Sequence, residues 1–162
     1  MTETTDFYAS YLARHQSELE RGKVAAEELK AIVHYLCSQD PALAALTVIY
    51  DGCGDEGTIE SIQLTNADDE AIDSALLDQP FPDALQDLVT IPDWLRNRSI
   101  KAVIDNAAWD VAYGHHPGFE INEGGFGELR VEVEPDDDST TLSIALEHNE
   151  RFTETTSTLI RL

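Results

Sequence analysis

Leu129-Arg130-Val131-Glu132-Val133-Glu134-Pro135 leads through Asp136-Asp137-Asp138 into Thr141-Leu142-Ser143-Ile144-Ala145-Leu146-Glu147-His148. In both arms every second residue is aliphatic and the residues between are polar or small. A period of two sends alternate side chains to opposite faces, so each arm reads as a strand with one buried and one solvated face. Pro135–Thr140, with its three aspartates, reads as the turn between them. A parallel pair would need a crossover of a dozen or more residues, so the two strands must pair antiparallel.

Upstream, Leu46–Tyr50 is apolar and β-branched and runs into Asp51-Gly52, and Thr58–Leu64 reads as its hairpin partner. The residues between, Asp51–Gly57, read as a long glycine-rich loop. Arg151–Leu162 is threonine-rich and reads as a last strand. Residues 5–38 have helical spacing, with Leu29, Ile32, Val33 and Leu36 on one face. Gly22 falls inside that stretch, so it is either one helix or two with a bend. A second helix is expected over Asp93–Tyr113 from the stripe Ile100, Val103, Ile104, Ala107 and Val111, with Gly114 as its terminating glycine. Asn66–Asp78 is expected to be a short helix or an irregular excursion, and a helical turn or two is expected from Asp83 to Val89. The order predicts an α+β fold: an antiparallel sheet of four to five strands with helices packed on one face. One domain is expected over 1–162, a helical segment at about 5–38 followed by an α+β body at about 44–162. A chain of this length buries about 68–70% of its extended surface, enough for one core.

The chain has 162 residues, 32 acidic and 10 basic, for a formal charge of −22. Such a surface repels nucleic acid and anionic membranes, and it suits a basic protein partner or divalent cations. The two cysteines, Cys37 and Cys53, have no zinc-site spacing. The first residues are polar and acidic, without a basic and apolar leader, and a cytoplasmic location is expected.

Two stretches concentrate the chemistry. Tyr50–Glu60 holds Asp51, Asp55, Glu56 and Glu60 among three glycines, and Gly114–Glu128 holds His115, His116, Glu120, Asn122 and Glu123 among five. The first begins like a calcium loop. It fails at Glu56, where the tight-turn glycine belongs, and at Ile62, where a bidentate glutamate is needed. In the second, adjacent side chains of an extended chain point apart, so at most one of His115 and His116 faces a shared site. His148 continues the inward alternation of its strand, and Asn149 ends it. His148-Asn149-Glu150 has the His-x-Glu spacing of a zinc deaminase without the cysteine half. No phosphate loop, nucleophile elbow or His-Glu-x-x-His helix is present. The candidate pocket therefore comprises Asp51, Asp55, Glu60, His116, Asn122, Glu123, His148 and Asn149. Asp51, Asp55, Glu123 and His148 are the candidate ligands for a divalent metal.

These motifs resemble an uncharacterised family of small bacterial and mobile-element proteins. The resemblance rests on Tyr50-Asp51-Gly52-Cys53-Gly54-Asp55-Glu56-Gly57-Thr58-Ile59-Glu60, on Asn122-Glu123-Gly124-Gly125-Phe126-Gly127-Glu128, and on Ala145–Asn149. It implies that both glycine stretches and the His-Asn strand end belong to one site, and it implies no particular chemistry. Two functions are expected from the sequence. One is an acidic interaction module, an accessory or inhibitor protein docking on a basic partner. The alternative is a divalent-metal-dependent hydrolase using the carboxylate and histidine cluster.

Overall fold

The computed structural model describes residues 2–53, 56–87, 92–116, 124–135 and 140–150. Helix α1 (Thr2–Gln39) is followed by strands β1 (Ala45–Cys53) and β2 (Glu56–Thr65). A 3₁₀ turn (Ser74–Asp78), a short helix α2 (Asp83–Gln86) and a second 3₁₀ turn (Asp93–Leu95) lead to helix α3 (Ile100–His115). Strands β3 (Gly125–Pro135) and β4 (Thr140–Glu150) follow. The fold is α+β: a four-stranded sheet in the order β2-β1-β3-β4, every pair antiparallel. The fifth strand expected over Arg151–Leu162 and the turn at Asp136–Asp138 lie outside the described residues.

One apolar core joins the sheet to the helices. Leu29, Ile32, Val33 and Leu36 of α1 and Ile100, Val103, Ile104, Ala107 and Val111 of α3 are buried against Leu46, Val48, Leu129 and Val131. The helical stripes foreseen in the sequence are the ones that face this core. α1 is unbroken, and Gly22 lies where α1 crosses α3 at Gly114 rather than at a bend. A Cβ on Gly114 would stand 2.6 Å from the Glu18 carbonyl oxygen and 2.9 Å from Gly22 Cα. Glycines there let two helix backbones touch. The first turns of α1 reach beyond the body, leaving Tyr8 and Leu12 exposed.

Several boundaries differ from the sequence reading. The helix expected over Asp93–Tyr113 begins only at Ile100, where Ser99 accepts a hydrogen bond from Ala102 N–H (3.2 Å), a side-chain N-cap. It continues through Gly114 to His115, so Gly114 is a helical residue and not a terminator. The segment Asn66–Asp78 is mostly turn. Asn66 accepts from the backbone N–H groups of Asp68 (2.9 Å) and Glu70 (3.0 Å), and only Ser74–Asp78 coils. Pro82 precedes the first turn of α2 as its cap residue.

The largest difference concerns the glycine stretches. Nine of the eleven residues of Tyr50–Glu60 are strand, and so are the last four of the second stretch, Gly125–Glu128. β1 and β2 stay paired as far as Cys53 and Glu56, so five of the seven residues expected in the loop are strand. β3 starts at Gly125. Glycine weakens a strand and reads as a turn, yet strands accept it where something packs closely against the backbone. No described helix is long and apolar enough to cross a membrane.

Candidate functional site

Opposite residues in an antiparallel pair share a face, so the helix-facing side of the sheet is built of cross-strand rows. Leu46, Val131 and Ile144 form one row, and Val48, Leu129 and Leu146 the next. One step further the row is Tyr50, Gly127 and His148, and the last is Gly52, Gly125 and Glu150. The sheet thus turns from aliphatic to polar in a single step at one end. On the outer strand, Ile59 pairs with Tyr50 and Gly57 with Gly52.

A bulge makes that outer pairing possible. Val48 faces Ile62 and Ile49 faces Ser61, but Tyr50 faces Ile59, so Glu60 is the extra residue. An inserted residue reverses the alternation beyond it. Ile59 and Gly57 therefore share the face of Tyr50, and Trp109 of α3 lies directly on Gly57, filling the space a Cβ would need. Glu60 is left exposed.

Tyr50 is buried and its hydroxyl is hydrogen-bonded to His148 Nδ1 at 2.5 Å. Gly127 lies between them in the row. A Cβ there would meet Tyr50 Oη at 2.5 Å and overlap the Glu147 carbonyl oxygen, so the Tyr50–His148 pair requires a glycine on the strand that separates them. Trp109 meets Tyr50 edge-on at 6.4 Å. Behind this frame the His148 side chain is only 3% exposed.

The fourth side comes from α3. His115 and His116 end the helix with separate tasks. His115 Nδ1–H donates to the Val111 carbonyl (2.9 Å), and the His116 backbone N–H donates to the Ala112 carbonyl (2.9 Å). His116 has left helical geometry (φ −133°, ψ 66°), and its ring stacks on His148 with centroids 3.9 Å apart and planes 14° from parallel. Glu150 Oε1 lies 3.7 Å from His148 Nε2. One donor atom from each of His116, His148 and Glu150 falls within 4.8 Å of the others. A group that can hold a metal ion is therefore present at the polar end of the sheet.

Burial disfavours the charged imidazole, so both histidines titrate below the usual value. His116 is lowered further by His115 and His148 by His116, against the opposing pull of Glu150 on both. Both rings are thus neutral at pH 7, the form that offers a lone pair to a metal. Burial also holds the Tyr50 hydroxyl far above its ordinary value, so it stays protonated.

Of the residues expected in the pocket, His116 and His148 meet. Asp51 and Asn149 do not, because strand alternation sends them to the other side of the sheet, in the row Asp51, Phe126, Asn149. Glu60 is turned out by the bulge. Asp55, Asn122 and Glu123 lie outside the described residues. Among the proposed metal ligands only His148 belongs to the described donor group, and Glu150, which the sequence reading passed over, completes it. The signal for Glu150 was available: residues 148 and 150 share a strand face by the same alternation that identified the strand.

A family model matches residues 24–160. The chain belongs to DUF6878, a family of unknown function. The matched span takes in α1 from Val24 onward, α3 with Gly114, and all four strands, so the DUF6878 match includes every residue of the donor group. No curated protein and no solved structure matches the chain.

Proposed function

We propose that this DUF6878 protein binds a divalent transition-metal ion, with Zn²⁺ the best match, and uses it as a hydrolytic centre. The observation that carries this is the convergence of two neutral imidazoles and one carboxylate from α3 and β4. Two histidines and a carboxylate match zinc rather than Mg²⁺ or Ca²⁺, which prefer oxygen donors. Three protein ligands leave a coordination position open, the pattern of catalytic rather than structural zinc sites. Tetrahedral zinc–ligand bonds of about 2.0–2.1 Å set donor atoms roughly 3.4 Å apart. The His148–Glu150 separation of 3.7 Å is close to that, and a His116 donor atom lies within 4.8 Å of both. When bound, zinc lowers the pKa of water and polarises the bond to be cleaved. The chain's own residues hold and orient: Tyr50 fixes the His148 ring, Gly52 and Gly125 place no side chain in the row of Glu150, and the acidic surface favours neutral or cationic substrates.

Metal-free protein titrated with Zn²⁺, Mn²⁺, Mg²⁺ and Ca²⁺ tests the reading. Free Zn²⁺ at 100 times Kd should add about 2.7 kcal/mol of stability, seen as a rise in melting temperature. The rise should vanish in His148→Ala and Glu150→Ala. No shift with any of the four ions removes both the centre and the hydrolase.

A second reading, an acidic module docking on a basic protein, draws support from the outer face of the sheet. Glu128 and Glu147 are direct cross-strand partners there, with Ile49 and Phe126 exposed beside them. Its mark is binding that weakens steeply with salt. Glu147→Lys should weaken that binding and leave zinc uptake unchanged.

A further inference from the structure

The chain has two tryptophans, and both line one cavity of about 420 Å³ beside the first turns of α3. This volume lies within the range of roughly 300–1,000 Å³ typical of small-molecule sites. Trp109 is fixed, its ring lying on Gly57 and meeting Tyr50 edge-on. Trp94 is different. It sits in the 3₁₀ turn at the rim and is 64% exposed, a large apolar ring left in water next to an open cavity. Indole faces at a cavity are stacking surfaces for flat rings.

The polar lining restricts the ligand further. Arg98, Asp105 and Asn106 supply its charged and amide groups. Asp105 is half-buried, and that burial, opposed by Lys101, holds its carboxyl above the usual range. A buried carboxylate gains most from ring N–H or amino donors, and an asparagine offers both a donor and an acceptor. Arg98 offers a planar fork for an acidic group. Arg96 is held by Asp93 at 3.2 Å, and with Lys101 these residues are the one basic cluster legible in an otherwise acidic sequence. A polyanion would be repelled by the overall charge of −22, whereas a single acidic group meets its counter-charge locally.

We infer that the cavity lined by Trp94, Trp109, Arg98, Asp105 and Asn106 binds a mononucleotide-like ligand, a flat nitrogen heterocycle carrying one acidic group. The ring stacks on indole, its N–H edge meets Asp105 and Asn106, and the acidic group meets Arg98. The site is separate from the His116–His148–Glu150 group, because the Trp109 and Tyr50 rings lie between the two. It therefore stands whether or not that group holds a metal.

Since both tryptophans line the cavity, all of the protein's tryptophan emission reports on it. Metal-free protein is titrated with AMP, GMP, CMP and UMP, with the four nucleosides, and with ribose 5-phosphate. At least one mononucleotide should change the emission saturably with a Kd at or below about 1 mM, and its nucleoside should bind about tenfold or more weakly. Ribose 5-phosphate should have no effect. Arg98→Gln should erase the preference for the nucleotide over the nucleoside, and Trp94→Ala, at an exposed position that leaves the core intact, should weaken binding about tenfold or more. His148→Ala should bind as the parent does. The inference is overturned if no mononucleotide saturates, if the nucleoside binds as tightly as its nucleotide, or if Arg98→Gln keeps the parent's preference.

Discussion

Replacing Tyr50 by Phe removes one oxygen atom and leaves the ring that packs on Ile59 and Trp109. In the structure that oxygen is hydrogen-bonded to His148 Nδ1 at 2.5 Å, while Nε2 faces Glu150. An imidazole that gives its Nε2 lone pair to a metal must carry its proton on Nδ1, and that proton needs an acceptor. Tyr50 Oη is placed to be it. Without the oxygen, a buried N–H is left unsatisfied, at a cost of about 1–3 kcal/mol. Loss of such an outer hydrogen bond costs metal sites about 10–100-fold in affinity, or about 1.4–2.8 kcal/mol at 1.4 per tenfold. The two ranges overlap, and a 10–100-fold rise in the Zn²⁺ Kd is expected.

Titration calorimetry at fixed pH on the parent and Tyr50→Phe measures it. Melting of both proteins without metal separates loss of affinity from loss of fold. Gly127→Ala approaches the same bond from the other side. Its methyl would stand only 2.5 Å from the Tyr50 hydroxyl, so it should lose at least as much zinc affinity as Tyr50→Phe and, unlike it, lose metal-free stability too. A Tyr50→Phe protein that binds zinc within about twofold of the parent would refute the role given to this hydroxyl, a difference below 0.5 kcal/mol being too small for an unsatisfied buried N–H.

Three further outcomes follow from the same coordinates. Because His148 and His116 titrate below their unfolded value, the unfolded chain binds more protons just below pH 6.5, so their contribution to stability is intact above that pH and falls as pH drops through the window; urea unfolding at pH 7.5 and 5.5 should show a shallower loss in His148→Phe than in the parent. Burial raises the Asp110 carboxyl against the opposing pull of Arg21, so Asp110→Asn should raise the melting temperature at pH 8, with the gain shrinking as pH falls towards the carboxylate range. Gly57→Ala would put a methyl into the Trp109 ring, and it should cost about 1–3 kcal/mol by overpacking and change tryptophan emission.

Strand cores and helix faces were legible because alternation and 3.6-residue spacing survive in Leu129–Val133, Leu142–Leu146 and Leu29–Leu36. What escaped was set by contacts distant in sequence. Gly127 reads as a loop residue, since nothing local says that Tyr50 and a neighbouring strand need the space a side chain would fill. Glu60 has the same chemistry as Glu150, yet a one-residue bulge on its strand turns it to solvent, and a bulge has no local signature here. Asp51 and Asn149 were grouped with the site by proximity along the chain, although alternation, applied one residue further, places them on the opposite face. The same alternation would have joined Glu150 to His148.

The position of His116 over His148 depends on how α3 is seated, and the seat is two residues away. A methyl on Gly114 would stand 2.6 Å from the Glu18 carbonyl oxygen and 2.9 Å from Gly22 Cα, where ordinary contacts are about 3.5–4.0 Å. Both obstacles are backbone, so α1 and α3 must part by about 1 Å, against an overpacking cost of about 1–3 kcal/mol. Helix propensity returns just under 1 kcal/mol for Gly→Ala, leaving a net loss of up to about 2 kcal/mol. Gly22→Ala meets its nearest atoms only at 3.3 Å, so the same propensity gain should cancel its strain and leave stability within about 0.5 kcal/mol of the parent. The asymmetry extends to the site: Gly114→Ala should weaken zinc binding by lifting His116, and Gly22→Ala should not. Equal urea midpoints for Gly114→Ala and the parent would mean that the crossing does not clamp the helices, and with it would go the explanation for how the end of α3 is held over β4.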